Sequence, residues 1–303
     1  MDLTLYQETV SEKIERISDI LIQMNKLSIL KDHMSFYGGT ALNFLYLDAP
    51  RLSEDLDFNY RQTDSRDWGE VRSVIDKETK RILSDLDYSE NDIKIQPTYN
   101  LCRFYIQYLN SKNLKDFIKI ETGYMRRIPI LKNDTFKEFI HPATEKRVKI
   151  KTPRSEELFA NKFCTLFSRE ETSSRDIFDV YNISKEKFDL SLFCDIVMIE
   201  SLFMKINIDS FPMERFNKKK QGDRIRDLVV KNFDWKILSQ EVISFIERIQ
   251  SELSTFGYSE FIREFERSHK IDIDALKNKN KINKGIQKHP IILWMIEEES
   301  SKI

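Results

Sequence analysis

Residues 37–58, YGGTALNFLYLDAPRLSEDLDF, contain the pattern that limits the possible folds of this chain more than any other. Gly38 and Gly39 follow a short apolar run at residues 34–37 and precede a sequence that favours a helix, ALNFLY. A glycine pair at this place permits a tight strand-to-helix turn and lets the backbone approach a ligand closely. Because the first N–H groups of a helix carry partial positive charge, the turn from Gly38 to Thr40 predicts a phosphate-binding site.

The same stretch ends in Asp55-Leu56-Asp57-Phe58, where acidic and apolar residues alternate. On a strand this alternation turns both carboxylates to one face and the apolar side chains to the core. Two neighbouring carboxylates repel each other unless a cation lies between them, and oxygen ligands suit Mg²⁺ that bridges substrate phosphates. Either motif alone has a plainer interpretation, a turn for the glycines and capping or solvation for the acids. Together they predict nucleotide chemistry.

The combination of GGTAL with Arg51-x-Ser53-x-Asp55-Leu56-Asp57-Phe58 resembles the nucleotidyltransferase motif of the AbiEii/AbiGii toxins. These belong to bacterial abortive-infection (phage defence) and toxin–antitoxin systems and are distant relatives of DNA polymerase β. The resemblance implies an α+β fold with a polymerase-β-like nucleotidyltransferase core, a mixed sheet flanked by helices, and a mostly helical C-terminal lobe. We place the core and its N-terminal helix at residues 1–150 and the helical lobe at residues 151–303.

Alternation returns after a predicted helix at residues 68–86. Residues 102–108 and 116–124 alternate on either side of a turn, which predicts a β-hairpin with Lys119 and Glu121 on one face of its second strand. The family places a third carboxylate on a strand next to the Asp-x-Asp strand, so the resemblance favours Glu121, with Asp116 as the alternative. A solvent-facing cross-strand pair is the plainer interpretation of Glu121.

Two later segments match further motifs of the family in their order. SEELFANKFCTLFSRE carries Lys162 among apolar residues, and a helix beginning near Arg175 carries Asp176 and Asp179. The resemblance implies that Lys162 offsets triphosphate charge and that the two acids orient Lys162 or the acceptor. The plainer interpretation is a lysine that extends to solvent and acids that cap or pair within their own helix.

The implied reaction is attack of an acceptor hydroxyl on the α-phosphorus of a nucleoside triphosphate, with release of pyrophosphate. Two Mg²⁺ ions, or Mn²⁺, are expected on Asp55, Asp57 and Glu121. The triphosphate is expected at the glycine turn and nearby polar side chains: Gly38, Gly39, Thr40, Arg51, Ser53 and Lys162. The whole interpretation requires the three carboxylates to converge on a common cation facing the glycine turn. Some family members add nucleotides to the 3′ end of tRNA and so block translation, and a winged-helix antitoxin neutralises them; the expected partners are therefore NTP, tRNA and such an antitoxin.

Composition limits where and how this chain can bind RNA. With 49 basic and 50 acidic residues the net charge is -1, so attraction to RNA must come from a local patch. Two basic runs are candidates: Arg215, Lys218, Lys219, Lys220, Arg224, Arg226 and Lys231, then Lys277, Lys279, Lys281, Lys284 and Lys288. The cysteines are scattered, and the sequence has neither a signal-peptide pattern nor an apolar run long enough to span a membrane. We therefore expect a cytoplasmic protein without membrane contact.

Two other functions stay open at this point. The first is the same fold transferring a nucleotide to a protein or to a small molecule, as in the antibiotic nucleotidyltransferases, and the basic runs argue weakly for RNA instead. A catalytically silent module that binds nucleotide or a partner is the second alternative. The intact pair of Asp55 and Asp57 argues against this loss of activity.

Overall fold

The computed structural model describes residues 1–209 and 225–300. The first basic run therefore lies largely outside the described residues: Arg215, Lys218, Lys219, Lys220 and Arg224. Two compact units are present. The first comprises Met1–Arg127, Asp134–Pro153 and Arg226–Val230, and the second comprises, among the described residues, 128–133, 154–209, 225 and 231–300. The predicted functional division into residues 1–150 and 151–303 stays a prediction.

A mixed sheet forms the centre of the first unit. Its strands are β1 (Met34–Tyr37), β2 (Asp55–Tyr60), β3 (Ile93–Pro97), β4 (Leu101–Leu109) and β5 (Lys115–Gly123), in the order β1-β2-β5-β4-β3. β2 and β5 run parallel, and the other neighbouring strands are antiparallel. The antiparallel pairing of β4 with β5 confirms the predicted hairpin. Because β5 continues from this hairpin to the side of β2, Glu121 comes to lie opposite Asp57.

The helices of the first unit are α1 (Glu8–Met24), α2 (Ser28–His33), α3 (Gly38–Leu45) and α4 (Trp68–Asp85). The predicted N-terminal helix is confirmed as α1. Apolar residues spaced three or four apart give α1 one buried face, which includes Ile14 and Ile17, both fully buried. α4 begins after Asp67, whose carboxylate accepts hydrogen bonds from the N–H groups of Gly69 and Glu70.

Strand alternation gives the sheet one apolar and one polar face. Leu56, Ile118 and Ile120 are fully buried, whereas Asp57 and Glu121 lie on the opposite face and are only half-buried. Cys102, on β4, is a buried cysteine, as are Cys164 and Cys194. Burial raises the pKa of Cys102 and of Cys194 to about 12, so both thiols stay protonated at neutral pH.

A separate hairpin, β6 (Thr135–Ile140) with β7 (Arg147–Thr152), follows the sheet. Arg154 stands at the N-cap position of the next helix and provides no capping side chain, because Thr152 remains in β7 and Ser155 is already the first helical residue.

The second unit is mostly helical, which confirms the predicted character of the C-terminal part. Its helices are α5 (Ser155–Ser168), α6 (Ser174–Ile183), α7 (Leu190–Met204), α8 (Trp235–Thr255), α9 (Tyr258–Ser268) and α10 (Pro290–Ser300). Phe163, Phe193 and Phe245 pack together in the core, with ring centroids 5.7 to 6.2 Å apart. Among the described residues, no helix has the length and apolar character needed to cross a membrane.

Candidate active site

The glycine turn lies directly against the acid pair. Gly38 begins α3 with a φ of +72°, a left-handed backbone conformation that glycine adopts at little cost. A Cβ added at Gly38 would overlap the carboxylate of Asp57, and it would lie 2.9 Å from the Cβ of that residue. The sequence therefore needs glycine here for two reasons, the bend itself and the space that Asp57 occupies.

Three carboxylates converge on one side chain, Lys119. The parallel pairing of β2 with β5 sets Asp55 opposite Lys119 and Asp57 opposite Glu121. The Nζ atom of Lys119 lies 3.6 Å from Asp55 Oδ2, 3.7 Å from Asp57 Oδ1 and 4.0 Å from Glu121 Oε2. The structure thus brings together the three acids that the sequence analysis proposed as metal ligands.

Lys119 is a site residue to which sequence reasoning gave no role. Its alternation with Glu121 put it on the correct face, and this was the signal available, but nothing in the sequence showed that its ammonium would lie between the acids. Burial is the largest single influence on the pKa of Lys119 and lowers it. The summed attraction of Asp57, Asp55 and Glu121 outweighs burial, so the pKa of Lys119 lies above its ordinary value.

The donor set fits a divalent metal. In the described part of the chain no group of three or more His, Cys, Asp or Glu side chains stands at metal-binding spacing. In the structure the three carboxylates surround the ammonium of Lys119. They therefore already present their oxygens to a cation at one position. Mg²⁺ and Mn²⁺ prefer oxygen ligands, and a site that is partly open to solvent lets the metal keep some of its waters. The residues present therefore suit the metal that the resemblance implies.

An arginine and a serine lie beside the start of α3. A Cβ added at Gly39 would come within 2.9 Å of Arg51 Nη2 and 3.1 Å of Ser53 Oγ, so both side chains fill the space next to this glycine. Arg51 is buried, and its Nη1 donates to the carbonyl of Leu52 at 2.8 Å. A guanidinium, a hydroxyl and a helix N-terminus together form a place that suits an anion.

Thr40 connects the turn to the acid-bearing strand. It is fully buried, and its hydroxyl donates a hydrogen bond to the backbone carbonyl of Asp55. The hydroxyl hydrogen is therefore already used, so the predicted phosphate contact of Thr40 rests on its backbone N–H. The bond fixes α3 relative to β2, and with it the glycine turn relative to Asp55.

Asp116, the alternative third carboxylate, lies on the other face of the sheet. It is an odd number of positions from Glu121 on the same strand, so the two side chains point to opposite faces. Its carboxylate pairs with Lys13 Nζ at 3.2 Å and accepts a hydrogen bond from Tyr108 at 3.3 Å. This position favours Glu121, which is also bound by Arg103 Nε at 2.6 Å.

The later predicted residues form a cluster within the second unit. Lys162 Nζ, on α5, lies 2.6 Å from Asp176 Oδ1 and 2.9 Å from Asp179 Oδ2, both on α6. The two acids are buried, and the lysine side chain is 13% exposed. Arg169 pairs with the second oxygen of Asp176 at 3.0 Å, and Arg175 lies in the first turn of α6. The structure brings Lys162, Asp176 and Asp179 together, with the acids oriented to hold the lysine.

The second basic run is exposed but partly neutralised. Lys277, Lys279, Lys281, Lys284 and Lys288 are all exposed. Lys279 pairs with Asp274 at 2.9 Å and Lys281 with Asp189 at 2.8 Å. Lys277 lies over the ring of Phe256, 3.2 Å from its centroid. The run therefore attracts a polyanion less strongly than five lysines without acidic neighbours would.

Among solved structures, this chain is similar to nucleotidyltransferases. The toxin MenT4 from Mycobacterium tuberculosis H37Rv has 16% sequence identity to this chain, a TM-score of 0.54, and coverage of 80% of this chain and 86% of its own. A putative nucleotidyltransferase from H. pylori has 20% identity, a TM-score of 0.48, and coverage of 78% and 94%. At such identity the likeness to MenT4 concerns the fold. No curated protein sequence matches the chain.

The sequence also matches a family model. The model describes the nucleotidyl transferase AbiEii toxin of type IV toxin–antitoxin systems, and it covers residues 19–228, more than half of the chain. The matched range includes the glycine turn, the three carboxylates and the cluster around Lys162. This chain therefore belongs to the AbiEii family of nucleotidyltransferase toxins.

Proposed function

We propose that this nucleotidyltransferase transfers a nucleotide from NTP to RNA, with the tRNA 3′ end as acceptor, and so blocks translation. The observation that carries the proposal is the convergence of Asp55, Asp57 and Glu121 on one cation position beside the glycine turn. Metal-dependent nucleotidyl transfer requires such a cation position next to the triphosphate. We further propose that residues 1–150 carry this core and that residues 151–303 contribute Lys162 and the Arg175-Asp176 motif.

The acids would hold divalent metal, with Mg²⁺ as the physiological ion. Asp55, Asp57 and Glu121 supply the oxygens, and Arg103 keeps the Glu121 carboxylate in place through its hydrogen bond. When bound, such ions lower the pKa of an attacking hydroxyl and stabilise charge on the leaving oxygen. The strand pairing fixes the acids before substrate arrives, so little reorganisation is needed.

The triphosphate would bind at the start of α3. The N–H groups of Gly38, Gly39 and Thr40 lie at the positive end of the helix, and Ser53 and Arg51 lie against Gly39. A buried guanidinium binds phosphate oxygens strongly because little water competes for it. Lys162 would offset further charge, with Asp176 and Asp179 orienting its ammonium.

An RNA acceptor is supported by the family and by the exposed lysines of the second basic run. Lys284 and Lys288 are exposed, and Lys279 and Lys281, whose ion pairs lie at the surface, can exchange their acidic partners for phosphates. The family implies an antitoxin partner, and we propose that this is a winged-helix protein. We also propose that the reaction takes place in the cytoplasm, where tRNA is found, and that it serves abortive infection as a defence against phage.

The test follows label from each α-labelled NTP into total RNA with Mg²⁺. Glu121→Gln and Asp57→Asn are expected to lower transfer at least a hundredfold, because each removes a charged metal ligand. Asp116→Asn, on the opposite face, is expected to change transfer less than about threefold. Chelation of the metal should abolish transfer by the unaltered protein, and label should appear in tRNA.

Other outcomes would decide against this proposal. Label in protein instead of RNA would select a protein acceptor. Nucleotide binding without transfer to any acceptor would select a silent binding module. Loss of transfer in Asp116→Asn, with retained transfer in Glu121→Gln, would move the third carboxylate to Asp116.

A further inference from the structure

Lys119 has no assigned part in the proposed chemistry, yet it lies at the centre of the site. Its Nζ is within 4.0 Å of Asp55, Asp57 and Glu121, and its side chain is 28% exposed. The three acids come from two neighbouring strands, so their positions are fixed by backbone pairing. The lysine reaches them through a flexible side chain of four carbons.

The ammonium and a divalent ion would need the same oxygens. Three carboxylates this close together repel one another unless a cation lies among them, and Lys119 supplies that cation within the chain itself. A metal bound by the same acids would lie a few ångströms from the ammonium, where like charges repel strongly in a half-buried site. The two cations are therefore alternatives, and the occupancy of one opposes the occupancy of the other.

Lys119 is not needed to hold the three acids in place, because each of them has other contacts. Glu121 already has a partner in Arg103, whose Nε lies 2.6 Å from its Oε2. Asp57 is packed against Gly38, and the carbonyl of Asp55 accepts the hydroxyl of Thr40. The strands and these contacts hold the acids in place. What Lys119 adds is positive charge at the point where the carboxylates meet.

We propose that Lys119 is a tethered cation that occupies the metal position in the resting enzyme and leaves it when metal and NTP bind. This inference rests on the proposed function, since it takes the three acids as the metal ligands. On withdrawal, the ammonium takes the incoming triphosphate as its new anionic partner, because the glycine turn that would bind the phosphates adjoins Asp57. Lys119 is then a positioning residue that weakens the binding of free metal and strengthens the binding of nucleotide.

Opposite effects of one substitution test this role. Mn²⁺ binding without nucleotide would be measured from the electron paramagnetic resonance signal of free Mn²⁺. Lys119→Met is expected to bind Mn²⁺ at least tenfold more tightly than the unaltered chain, which corresponds to about 1.4 kcal/mol. In EDTA, the same variant should bind a non-hydrolysable NTP analogue more weakly, by about threefold or more. Lys115→Met, an exposed position on the same strand, is expected to leave both affinities within twofold.

The outcomes separate this inference from the proposed function. Unchanged or weaker Mn²⁺ binding by Lys119→Met, combined with loss of binding in Asp57→Asn, would overturn the role of Lys119 and leave the metal site intact. If the unaltered chain and Lys119→Met both bind neither Mn²⁺ nor the analogue, the metal site and the role of Lys119 are both wrong. A damaged fold would lower both affinities and could not raise one of them.

A second measurement needs no variant. In a crystal of the unaltered chain grown with Mn²⁺ and the analogue, Nζ of Lys119 should have moved away from the carboxylates and lie within hydrogen-bond distance of a phosphate oxygen. A metal bound by Asp55 and Asp57 with Nζ still within 4 Å of all three acids would contradict the inference.

Discussion

At the scale of single residues, the site depends on a glycine, Gly38, whose Cα has no room for a side chain. Gly38 combines a φ of +72° with contact to the carboxylate of Asp57. The first property costs any other residue about 1–2 kcal/mol of backbone strain. The second would force Asp57 to move, and a displaced ligand changes the position of the cation that it holds. Stability and activity are therefore linked here through one missing methyl group.

We expect Gly38→Ala to lower the free energy of unfolding by about 1–3 kcal/mol and to reduce nucleotide transfer far more than this loss explains. The strain affects the whole fold, whereas the clash with Asp57 affects the site directly. Urea unfolding gives the first quantity. Transfer assayed at a temperature where the variant remains folded gives the second.

Gly257→Ala is the matched control for this substitution. Gly257 has a φ of +77°, and among the described residues no atom lies within 4 Å of the position its Cβ would take. The backbone strain is thus alike, without a clash, so the control should lose stability and keep its transfer activity. Equal activity of the two alanine variants would mean that the contact between Gly38 and Asp57 is unimportant for the reaction.

How far the sequence predicted the site also depends on individual residues. Strand alternation alone placed Asp55 with Asp57 on one face of their strand, and it decided which way Glu121 points from its own strand. That Glu121 lies beside the aspartates was expected from the family resemblance. Alternation likewise placed Lys119 on the same face as Glu121. Its contact with all three acids could not be predicted, because that depends on the parallel register of β2 and β5, and register is set by packing across the whole sheet.

At the scale of secondary structure elements, the contact between α5 and α6 shows that residues assigned to the site also stabilise the fold. Lys162 projects from α5 and pairs with two acids of α6, one of them fully buried. A buried acid that loses its cation retains the cost of its desolvation without compensation. The cluster assigned to triphosphate binding therefore also joins two helices.

Lys162→Met is expected to lower the free energy of unfolding by about 3–5 kcal/mol, because Asp179 would be left buried without this cation. Urea unfolding at neutral pH measures the change. Lys279→Met serves as the control, since Lys279 and its partner Asp274 are exposed, and it should cost less than about 1 kcal/mol. Equal costs for the two variants would rule out a structural contribution of the buried cluster.

The elements that sequence predicted and those that it missed differ in how they are buried. α1, α4 and the hairpin of β4 and β5 each bury one regular face, so their apolar residues recur at the period of a helix or a strand. β6 buries Phe139 and leaves Phe136 half exposed, which removes the alternation that identifies a strand. α2 has only six residues, too few for a helical period to be recognised.

At the scale of the whole molecule, the two compact units are interleaved along the chain. Arg226–Val230 belongs to the first unit, although the rest of that unit ends at Pro153. The N–H of Leu52 donates to the carbonyl of Leu228 at 2.8 Å, so this late segment supports the residue between Arg51 and Ser53. Sequence patterns did not predict this return, because a contact between distant segments leaves no periodic signal in either of them.

This return predicts that a late substitution weakens the early part of the chain. Leu228 is 1% exposed, so Leu228→Ala should cost about 2–5 kcal/mol through the cavity it leaves. Hydrogen exchange should then rise more in peptides of β1 and β2 than in peptides of α7, because local opening follows the unit that loses its packing. Leu276→Ala, a buried leucine of the second unit, should give the reverse order. If both variants raise exchange equally in all of these peptides, the two units open together, and the support that Leu228 gives to the residues around Arg51 cannot be separated from the stability of the whole chain.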